Sequence, residues 1–421
     1  MLFFSAKLVK ISSCRNNFFI NVTLNKPHYP FEIPNTWVWT TLGELFFLQA
    51  GKNITADKIN YEKNDVYRYP CYGGNGIRGY VVHYNKSGKY PIVGRQGALC
   101  GNLNYVEGKF YATEHAVPVE TFAETIPYLA FLFLKQINLN QYATATAQPG
   151  LSVNKILDVP IPLPPKEEQV RIVQEVLKHE AIVESIETNK EELFESLSKV
   201  KSTILEYAIS GKLVPQNPAD EPAVDLLKRV SPNAVVSTDT SHYKFDIPNN
   251  WIISQLGNLF NHNTGKALNR SNRDGTMLDY ITTSNLYWDR FELENLKQMP
   301  YKDSEIDKCT VIKGDLLVCE GGDIGRAAIW NYDYSICIQN HIHRLRPIDK
   351  LLVFPRFYYY CFLLYKQQNL IGGKGIGIQG LSSNQLHKVV FPLPPLNEQK
   401  RIAAKVDELF AVIDQIQQSL E

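Results

Sequence analysis

The sequence has no apolar stretch long enough to cross a lipid bilayer. A spanning helix needs about 20 consecutive apolar residues, whereas residues 126–134 form a much shorter run and residues 351–365 are interrupted by Pro355. At the N-terminus the apolar residues precede Lys7 and Lys10, which is the reverse of the order in a secretory signal. We therefore expect a cytoplasmic protein with no membrane partner.

Cysteine pairs are also missing. The seven cysteines are odd in number, and none of them stands in a Cys-x-x-Cys pair. This pattern argues against a disulfide framework and against a structural zinc site, and it favours free thiols in a reducing compartment.

Neither sign of charge dominates. The 421 residues include 44 Lys and Arg against 43 Asp and Glu, so the formal net charge is +1. A uniformly basic coat is thereby excluded, and a polyanion would have to meet a local basic patch. Hydrophobic residues make up 44% of the chain, which excludes a disordered or collagen-like chain. The length predicts two or three domains at about 150 residues each.

Catalytic patterns are incomplete. The glycine-rich residues 372–377 lack the Gly-x-x-x-x-Gly-Lys-Ser/Thr spacing of a phosphate-binding loop. Glu107 and Lys109 match the end of a nuclease Glu-x-Lys element, but no aspartate precedes them on a matching strand. His341 and His343 alternate as on one strand face without a third ligand, so we expect a satisfied polar pair rather than a metal site. We interpret the chain as a binding protein with no catalytic residue, metal or cofactor of its own.

A long repeat organises the sequence. Residues 28–37 recur as residues 242–251, at an offset of 214. Residues 150–172 share their Gly-Leu-Ser, Pro-Leu-Pro-Pro and Glu-Gln-x-Arg-Ile motifs with residues 380–402, at an offset of 230. The alternative is two unrelated domains with a common kind of turn, and it does not account for two matches in the same order. Because the unit exceeds 200 residues, far beyond solenoid periods, we infer a duplicated domain pair.

Each unit ends in a helix with a coiled-coil pattern. Beyond Pro165 the apolar positions alternate in steps of four and three residues over about five heptads. At 1.5 Å per residue, about 44 residues would span about 66 Å, against about 38 Å for about 25 residues in the second helix. His179 and Lys190 interrupt the seam and either fix its register or are merely tolerated. The predicted seam residues are Ile172, Val176, Val183, Ile186, Leu193, Leu197, Val200 and Ile204, with Ile402, Val406, Leu409, Ile413, Ile416 and Leu420.

These motifs carry a likeness to a known family. The Gly-Leu-Ser entries, the Pro-Leu-Pro-Pro turns and the Ser-Gly-Lys-Leu-Val-Pro segment at 210–215 are specific, and residues 69–76 and 94–97 add to the likeness. From about His28 to its end, the chain resembles the DNA specificity subunit of type I restriction-modification systems.

The resemblance implies an α+β fold with two mixed α/β target-recognition domains, separated by two long helices that form an antiparallel coiled coil. Each domain would read one half of a bipartite site in double-stranded DNA. The coiled coil would space the domains and dock two methyltransferase subunits, and restriction and translocase subunits would join them. AdoMet, ATP and Mg²⁺ would belong to these partners. The implied segments are an N-terminal segment at 1–27, a first recognition domain at 28–165, a central helix at 166–210, a linker at 211–244, a second recognition domain at 245–395 and a C-terminal helix at 396–421.

Two other functions stay open at this point: a coiled-coil scaffold whose variable domains bind proteins, and a stand-alone nuclease. The chain also departs from the family pattern in two features. Its second helix is short, and residues 5–9 echo residues 210–214, as though the chain began inside a post-helix segment. A truncated or rearranged chain would affect methyltransferase docking before DNA reading.

Alignment of the two halves selects candidate DNA-contacting residues. Residues 94–97 align with 319–322, and residues 113–115 align with 339–341. Glycine-rich turns let a loop approach a groove, and Arg, Gln and Asn side chains suit base edges. The alternative is that the glycines serve sheet turns and the histidines are buried. The base-contact candidates are Tyr72, Asn75, Arg95, Gln96 and His115, with Glu320, Arg326, Asn340 and His341 in the second half, and the phosphate-contact candidates are Lys266, Arg270, Arg273 and Lys374.

Overall fold

A computed structural model describes residues 32–97, 99–122, 124–143, 150–234, 245–268, 274–371 and 381–420. The chain divides between Ile186 and Glu187 into a first unit and a second unit. Within the described residues, none of the helices combines the length and the apolar character needed to span a membrane.

The first unit carries a six-stranded sheet and short helices. Its strands are β1 (Val38–Thr41), β2 (Phe46–Leu48), β3 (Tyr69–Gly73), β4 (Gly76–Val81), β5 (Lys86–Gly94), β6 (Leu103–Ala112), β7 (Ala116–Thr121) and β8 (Pro160–Leu163). Its helices are α1 (Leu42–Leu45), α2 (Pro127–Ile137), α3 (Val153–Ile156) and the beginning of α4 (Lys166–Ile209), with 3₁₀ turns at Ala56–Lys58 and Leu139–Tyr142. The sheet order is β2-β7-β5-β6-β3-β4, and only β3 and β6 run parallel.

Alternation along the strands places the core of this unit. In β6, Val106 and Phe110 are buried while Glu107 and Lys109 are exposed, as expected for a strand with one face toward the core. Helix α2 begins at Pro127, which suits a first helical position, and it buries Leu134 in the main apolar cluster.

Helix α4 begins at the predicted Pro-Pro pair. Pro165 O accepts hydrogen bonds from the backbone N–H groups of Glu168 (2.9 Å) and Gln169 (3.0 Å), which form the first turn. Acidic residues in this turn complement the positive end of the helix dipole. After Ile209 the backbone turns at Gly211, whose φ of +69° favours glycine, and a Cβ there would also lie 2.6 Å from Pro248 Cδ. The helix is one uninterrupted piece of 44 residues.

The second unit repeats this plan with more strands. Its strands are β9 (Ile252–Gln255), β10 (Phe260–Thr264), β11 (Thr276–Ile281), β12 (Leu286–Tyr287), β13 (Arg290–Phe291), β14 (Lys297–Tyr301), β15 (Thr310–Val311), β16 (Leu316–Cys319), β17 (Ala327–Ile329), β18 (Ile336–Ile338), β19 (Ile342–Pro347) and β20 (Val390–Leu393). Its helices are α5 (Ala223–Val230), α6 (Asp303–Cys309), α7 (Pro355–Gln367), α8 (Ser383–Lys388) and α9 (Leu396–Leu420), with a 3₁₀ turn at Leu256–Asn258. The strands form sheets ordered β10-β19-β16-β17 and β14-β11-β18-β15, and pairs β12-β13 and β20-β9.

The duplication extends to strand register. In the first unit β1 pairs with β8 so that Val38 faces Leu163, and in the second β9 pairs with β20 so that Ile252 faces Leu393. These four positions differ by the offsets of 214 and 230 that the sequence motifs show. The predicted α+β fold with two mixed domains and long helices is confirmed.

Helix α9 packs antiparallel to the C-terminal part of α4. Lys201 donates hydrogen bonds to Asp414 (2.5 Å) and Gln417 (2.9 Å), which lie near the end of α9. Just beyond the end of α4, Asp220 accepts a hydrogen bond from Arg401 (2.7 Å), which lies near the start of α9. The end of one helix therefore meets the beginning of the other, as the resemblance implies.

This pairing covers part of the predicted seam. Helix α9 has 25 residues against 44 in α4, so it is too short to cover the whole apolar stripe. Leu197, Ile402, Val406 and Ile413 are buried, Ile172, Val176, Ile204, Leu409 and Leu420 are half-buried, and Val183, Ile186, Leu193, Val200 and Ile416 are exposed. Of the two polar interruptions, His179 is exposed and bonds only within its own helix, to Glu175 O (2.7 Å).

Candidate nucleic-acid interface

The first unit gathers most of its candidate residues around one loop, residues 94–97 (the first loop). Arg95 N donates to His115 O (3.0 Å), and Leu151 N donates to Arg95 O (2.8 Å). A Cβ on Gly74 would lie 2.9 Å from Gln96 O, so only glycine lets the turn before Asn75 approach the loop this closely. The structure therefore brings together Asn75, Arg95, Gln96 and His115.

The polar side chains of this group face solvent. Arg95, Gln96 and Asn75 are exposed, and their side chains form no hydrogen bond or ion pair with another described residue. His115 lies 3.3 Å from its neighbour Glu114. Unpartnered donors on a loop held by backbone bonds are what a base-edge contact requires.

Tyr72 has a different place. Its ring packs edge-to-face on Phe110, with ring centroids 5.8 Å apart, and its carbonyl accepts a hydrogen bond from Thr113 N. Burial raises the pKa of the Tyr72 hydroxyl. The side chain thus supports the strand end that carries Asn75, and it presents less of itself to solvent than the other candidates do.

The second unit repeats the loop at residues 319–322 (the second loop). Glu320 N donates to His341 O (2.9 Å), the counterpart of the bond between Arg95 and His115. The His341 and Glu320 side chains lie 3.9 Å apart, and Asn340 N donates to Lys266 O (3.1 Å). Glu320, Asn340 and His341 are therefore neighbours, as the alignment predicts.

Two cationic candidates of the second unit are engaged inside the protein. Arg326 donates to Thr283 O (2.6 Å) and stacks 5.2 Å from the Tyr287 ring, and its side chain is 17% exposed. Lys266 is 12% exposed and bonds Glu305 at 2.6 Å. Because Glu305 already neutralises Lys266, its position does not support the predicted phosphate contact. Arg270, Arg273 and Lys374 lie outside the described residues, as do residues 372–377.

The expected polar pair of His341 and His343 is not formed. His341 precedes strand β19, which starts at Ile342, so it does not share a strand face with His343. His341 is exposed, whereas His343 is buried and bonds His262 (2.8 Å) and Leu381 O (2.5 Å). With the nearby ring of His387, this forms a cluster of three histidines that the sequence analysis missed, since its members are far apart in the chain. Across the described segments, no group of three or more His, Cys, Asp or Glu side chains is arranged to hold a metal ion.

Arg78 is a further exposed cation that the sequence analysis missed. It lies on β4, and its aliphatic stem covers Gly73, where a Cβ would lie 2.6 Å from Arg78 Cδ. The hairpin between β3 and β4 therefore places Arg78 against Gly73, two residues before Asn75 in the chain. The signal was present in the sequence, because Gly73 and Gly76 flank a two-residue turn that returns the chain on itself.

Comparison with known proteins gives a consistent result. The family model "Type I restriction modification DNA specificity domain" matches residues 34–195 and 248–421. The specificity subunit of the type I restriction enzyme EcoprrI of Escherichia coli is 42% identical over 172 residues, which are 40% of this chain and 43% of that protein. The EcoBI specificity subunit, also of Escherichia coli, is 25% identical over 298 residues, 68% of this chain and 59% of that protein.

A solved structure shares the fold. The HsdS subunit from Thermoanaerobacter tengcongensis aligns with a TM-score of 0.55 and 18% identity over 93% of each chain. The matches to the two curated relatives thus span about half of those proteins, whereas the fold likeness spans nearly the whole of the solved chain.

Proposed function

Because the chain belongs to the type I restriction-modification DNA specificity domain family, we propose that it is a sequence-specific DNA-binding subunit. It reads a bipartite target in double-stranded DNA and directs methyltransferase and restriction subunits to that target. The observation that carries the proposal is the occurrence, once in each unit, of the same loop geometry with different polar side chains, Arg95 and Gln96 in the first loop and Glu320 in the second.

The chemistry of the two loops suits this function. A backbone frame of fixed hydrogen bonds is common to both, with Arg95 N on His115 O and Glu320 N on His341 O. Rigid frames hold side chains at defined positions, and Arg, Gln, Asn and Glu recognise base edges in the major groove by complementary donors and acceptors. The two loops therefore share one backbone arrangement but carry different side chains, so that each loop reads a different half-site.

The uncovered stripe on α4 supports the partner subunits of the proposal. Val183, Ile186 and Leu193 are large apolar residues that are exposed at heptad positions of α4, with Lys190 between the last two. Exposed large apolar residues rimmed by polar ones are typical of protein contact sites. The two methyltransferase subunits would dock on the helices, and AdoMet, ATP and Mg²⁺ would be bound by the methyltransferase and restriction subunits. No catalytic step is assigned to this chain, which acts as the recognition subunit.

Selection from a randomised duplex library tests the proposal. The purified full chain should enrich a motif of two conserved blocks separated by unconserved base pairs. Affinity for the enriched duplex should fall linearly on a log-log plot as salt rises, because phosphate contacts release counterions. Enrichment of no motif, with no salt-dependent binding, would contradict the proposal and favour the scaffold. Cleavage of the duplex by the isolated chain with Mg²⁺ would favour the nuclease.

Methylome mapping gives a second test in the cell. Genomic DNA from the source cell, with and without the gene, should differ in methylation at one bipartite motif. The motif should match the one enriched in vitro. Identical methylomes would remove the part of the proposal that concerns methyltransferase subunits, without bearing on DNA binding by the chain itself.

A further inference from the structure

The two loops carry opposite charges at equivalent backbone positions. We propose that Arg95 and Glu320 are specificity-determining residues, with Arg95 selecting guanine in one half-site and Glu320 selecting cytosine in the other. This inference rests on the proposed function and deepens it, because it states which base each unit selects.

The equivalence of the two positions rests on strand register. Gly94, just before Arg95, faces Ala116 of β7, and Cys319, just before Glu320, faces Ile342 of β19. Arg95 N donates to the carbonyl of His115, which precedes β7, and Glu320 N donates to the carbonyl of His341, which precedes β19. Arg95 and Glu320 therefore follow the ends of equivalent strands, β5 and β16, at the same point.

The loops also close in the same way. Gly101 N donates to Gly94 O (2.7 Å), and Gly325 N donates to Cys319 O (2.9 Å). Both glycines are left-handed, with φ of +89° and +85°. The bond from Gly325 to Cys319 encloses one residue fewer than the bond from Gly101 to Gly94. The backbone at Glu320 nevertheless has the same hydrogen bond as the backbone at Arg95.

Arg95 is available to a ligand. Its guanidinium is exposed and makes no ion pair with another described residue. Glu114, an acidic residue beside this group, lies 3.3 Å from His115 and forms no ion pair with Arg95. Arg95 therefore offers a full set of N–H donors without first breaking a contact.

Glu320 is half-buried and only weakly paired. The His341 ring nitrogen nearest to its carboxylate lies 3.9 Å away, which is beyond hydrogen-bond distance. Asp323, also in this loop region, is already paired with Lys366 at 2.7 Å. The carboxylate of Glu320 is thus the acceptor that the second loop offers to a ligand.

The hydrogen-bond donors and acceptors of the two side chains determine which base each one selects. A guanidinium has donors only, and guanine presents the O6 and N7 acceptors in the major groove. A carboxylate has acceptors only, so it is repelled by guanine O6 and thymine O4 and is matched by the N4 amino group of cytosine. Adenine also presents an amino group, N6, but the N7 acceptor beside it repels a carboxylate. A carboxylate near phosphates also lowers affinity for DNA in general, so Glu320 contributes discrimination rather than strength.

The test uses the full chain and its enriched duplex. Selection is repeated with Arg95→Gln and with Glu320→Gln, and each variant should change the preferred base at one position, in different half-sites. A 7-deazaguanine, which lacks N7, at the Arg95 position should weaken wild-type binding by about 5- to 150-fold. A cytosine analogue without the N4 amino group should do the same at the Glu320 position, and neither analogue should weaken binding of the corresponding variant further.

Controls and outcomes are distinguishable. Lys199→Gln and Glu195→Gln remove the same charges from α4, where both side chains are over 70% exposed, and they should keep the wild-type motif. Unchanged thermal unfolding midpoints will show that the variants are folded. If the wild-type chain enriches a motif and neither variant alters it, or both alter the same half-site, the inference is overturned while the proposed function stands. If the wild-type chain enriches nothing, the proposed function itself fails.

Discussion

One cluster of side chains is aliphatic in the first unit and consists of histidines in the second. Leu48 and Leu157 correspond, by the repeat offsets of 214 and 230, to His262 and His387, and Val117 corresponds to His343 by the spacing of 226 that aligns residues 113–115 with 339–341. Strand pairing supports this, because Leu48 faces Val119 in β7 and His262 faces Leu345 in β19. The surroundings agree as well, since a Cβ on Gly43 would lie 3.1 Å from Leu157 and one on Gly257 would lie 3.3 Å from His387.

The difference changes how the two cores respond to protons. Burial, with the neighbouring His343, His387 and Arg344, lowers the pKa of His262 to about 3. Burial also lowers the pKa of His343, against its hydrogen bond to Leu381 O and the charge of Glu320, which both raise it. The second unit therefore keeps the His262 and His343 rings neutral when folded, whereas the aliphatic residues of the first unit cannot titrate.

The junction between domain and helix is, by contrast, the same in both units. Gln169 accepts a hydrogen bond from Ile126 N (3.0 Å) and donates to Pro164 O (3.0 Å). Gln399 accepts from Phe354 N (3.1 Å) and donates to Pro394 O (2.9 Å). In each unit one buried glutamine at the start of a long helix therefore caps the domain helix, α2 or α7. The comparison indicates that the junction is shared while the surrounding core is free to change.

The largest expected effect comes from breaking this shared junction. Gln169→Leu and Gln399→Leu each leave a buried N–H and a buried carbonyl without a partner, which should lower the free energy of unfolding by about 2–4 kcal/mol. Hydrogen exchange measured by mass spectrometry should show faster exchange in α2 for the first variant and in α7 for the second. In each variant the other unit serves as the control. Equal loss of protection in both units, or in neither, would contradict a local junction.

The second largest expected effect is that acid destabilises the second unit at a higher pH than the first. Because the folded pKa of His262 lies below the unfolded value of about 6.5, its contribution to stability is complete above pH 6.5 and is lost as pH falls toward 3, by at most about 1.4 kcal/mol per pH unit. Protection factors in β10 and β19 should therefore fall with acid before those in β2 and β7. Replacing the three histidines together by the first unit's Leu, Val and Leu should remove this difference. If the difference in acid sensitivity persists after the replacement, titratable groups other than these histidines cause it.

The sequence predicted what depends on local pattern. The Pro-Pro pair and the heptad steps correctly placed helix α4, because helix entry and periodicity are properties of neighbouring residues. The paired alignment of Arg95 with Glu320 also agrees with the hydrogen bonds of the two loops. Both loops follow a strand whose apolar pattern is clear in the sequence.

The rest depends on contacts between distant residues. Lys266 looks like a free cation in sequence, but Glu305, which lies 39 residues away, neutralises it. Arg326 is likewise held by Thr283, 43 residues away. The heptads continue through Ile186, which the shorter α9 leaves exposed in this chain. Periodicity predicts which face of a helix is apolar, but the tertiary structure determines whether another element covers that face.

The smallest expected effect concerns a carboxylate that differs between the two junctions. In the second unit Glu398 is buried and accepts hydrogen bonds from Trp251 (2.9 Å) and from Gln216, whereas Trp37, the counterpart of Trp251, has no partner for its indole N–H among the described residues. Burial raises the pKa of Glu398, although these two hydrogen bonds and Arg401 act in the opposite direction. The folded pKa thus lies above the unfolded one, so the contribution of Glu398 to stability falls as pH rises through the folded pKa.

Glu398→Gln should remove this pH dependence while its amide oxygen still accepts the Trp251 N–H. The amide nitrogen would then face Gln216, which loses this acceptor but keeps its hydrogen bond to Gly211 O (3.2 Å). We expect the variant to be as stable as the wild type at neutral pH or more stable, by less than about 1 kcal/mol, because a buried charge is replaced by a neutral amide. Urea unfolding at several pH values measures the change. Glu168→Gln is the matched substitution in the first unit, where the carboxylate makes no side-chain hydrogen bond to another described residue, and it should leave the pH dependence unaltered. A Glu398→Gln variant clearly less stable than the wild type at neutral pH would show instead that the charge strengthens the bonds to Trp251 and Gln216 by more than its burial costs.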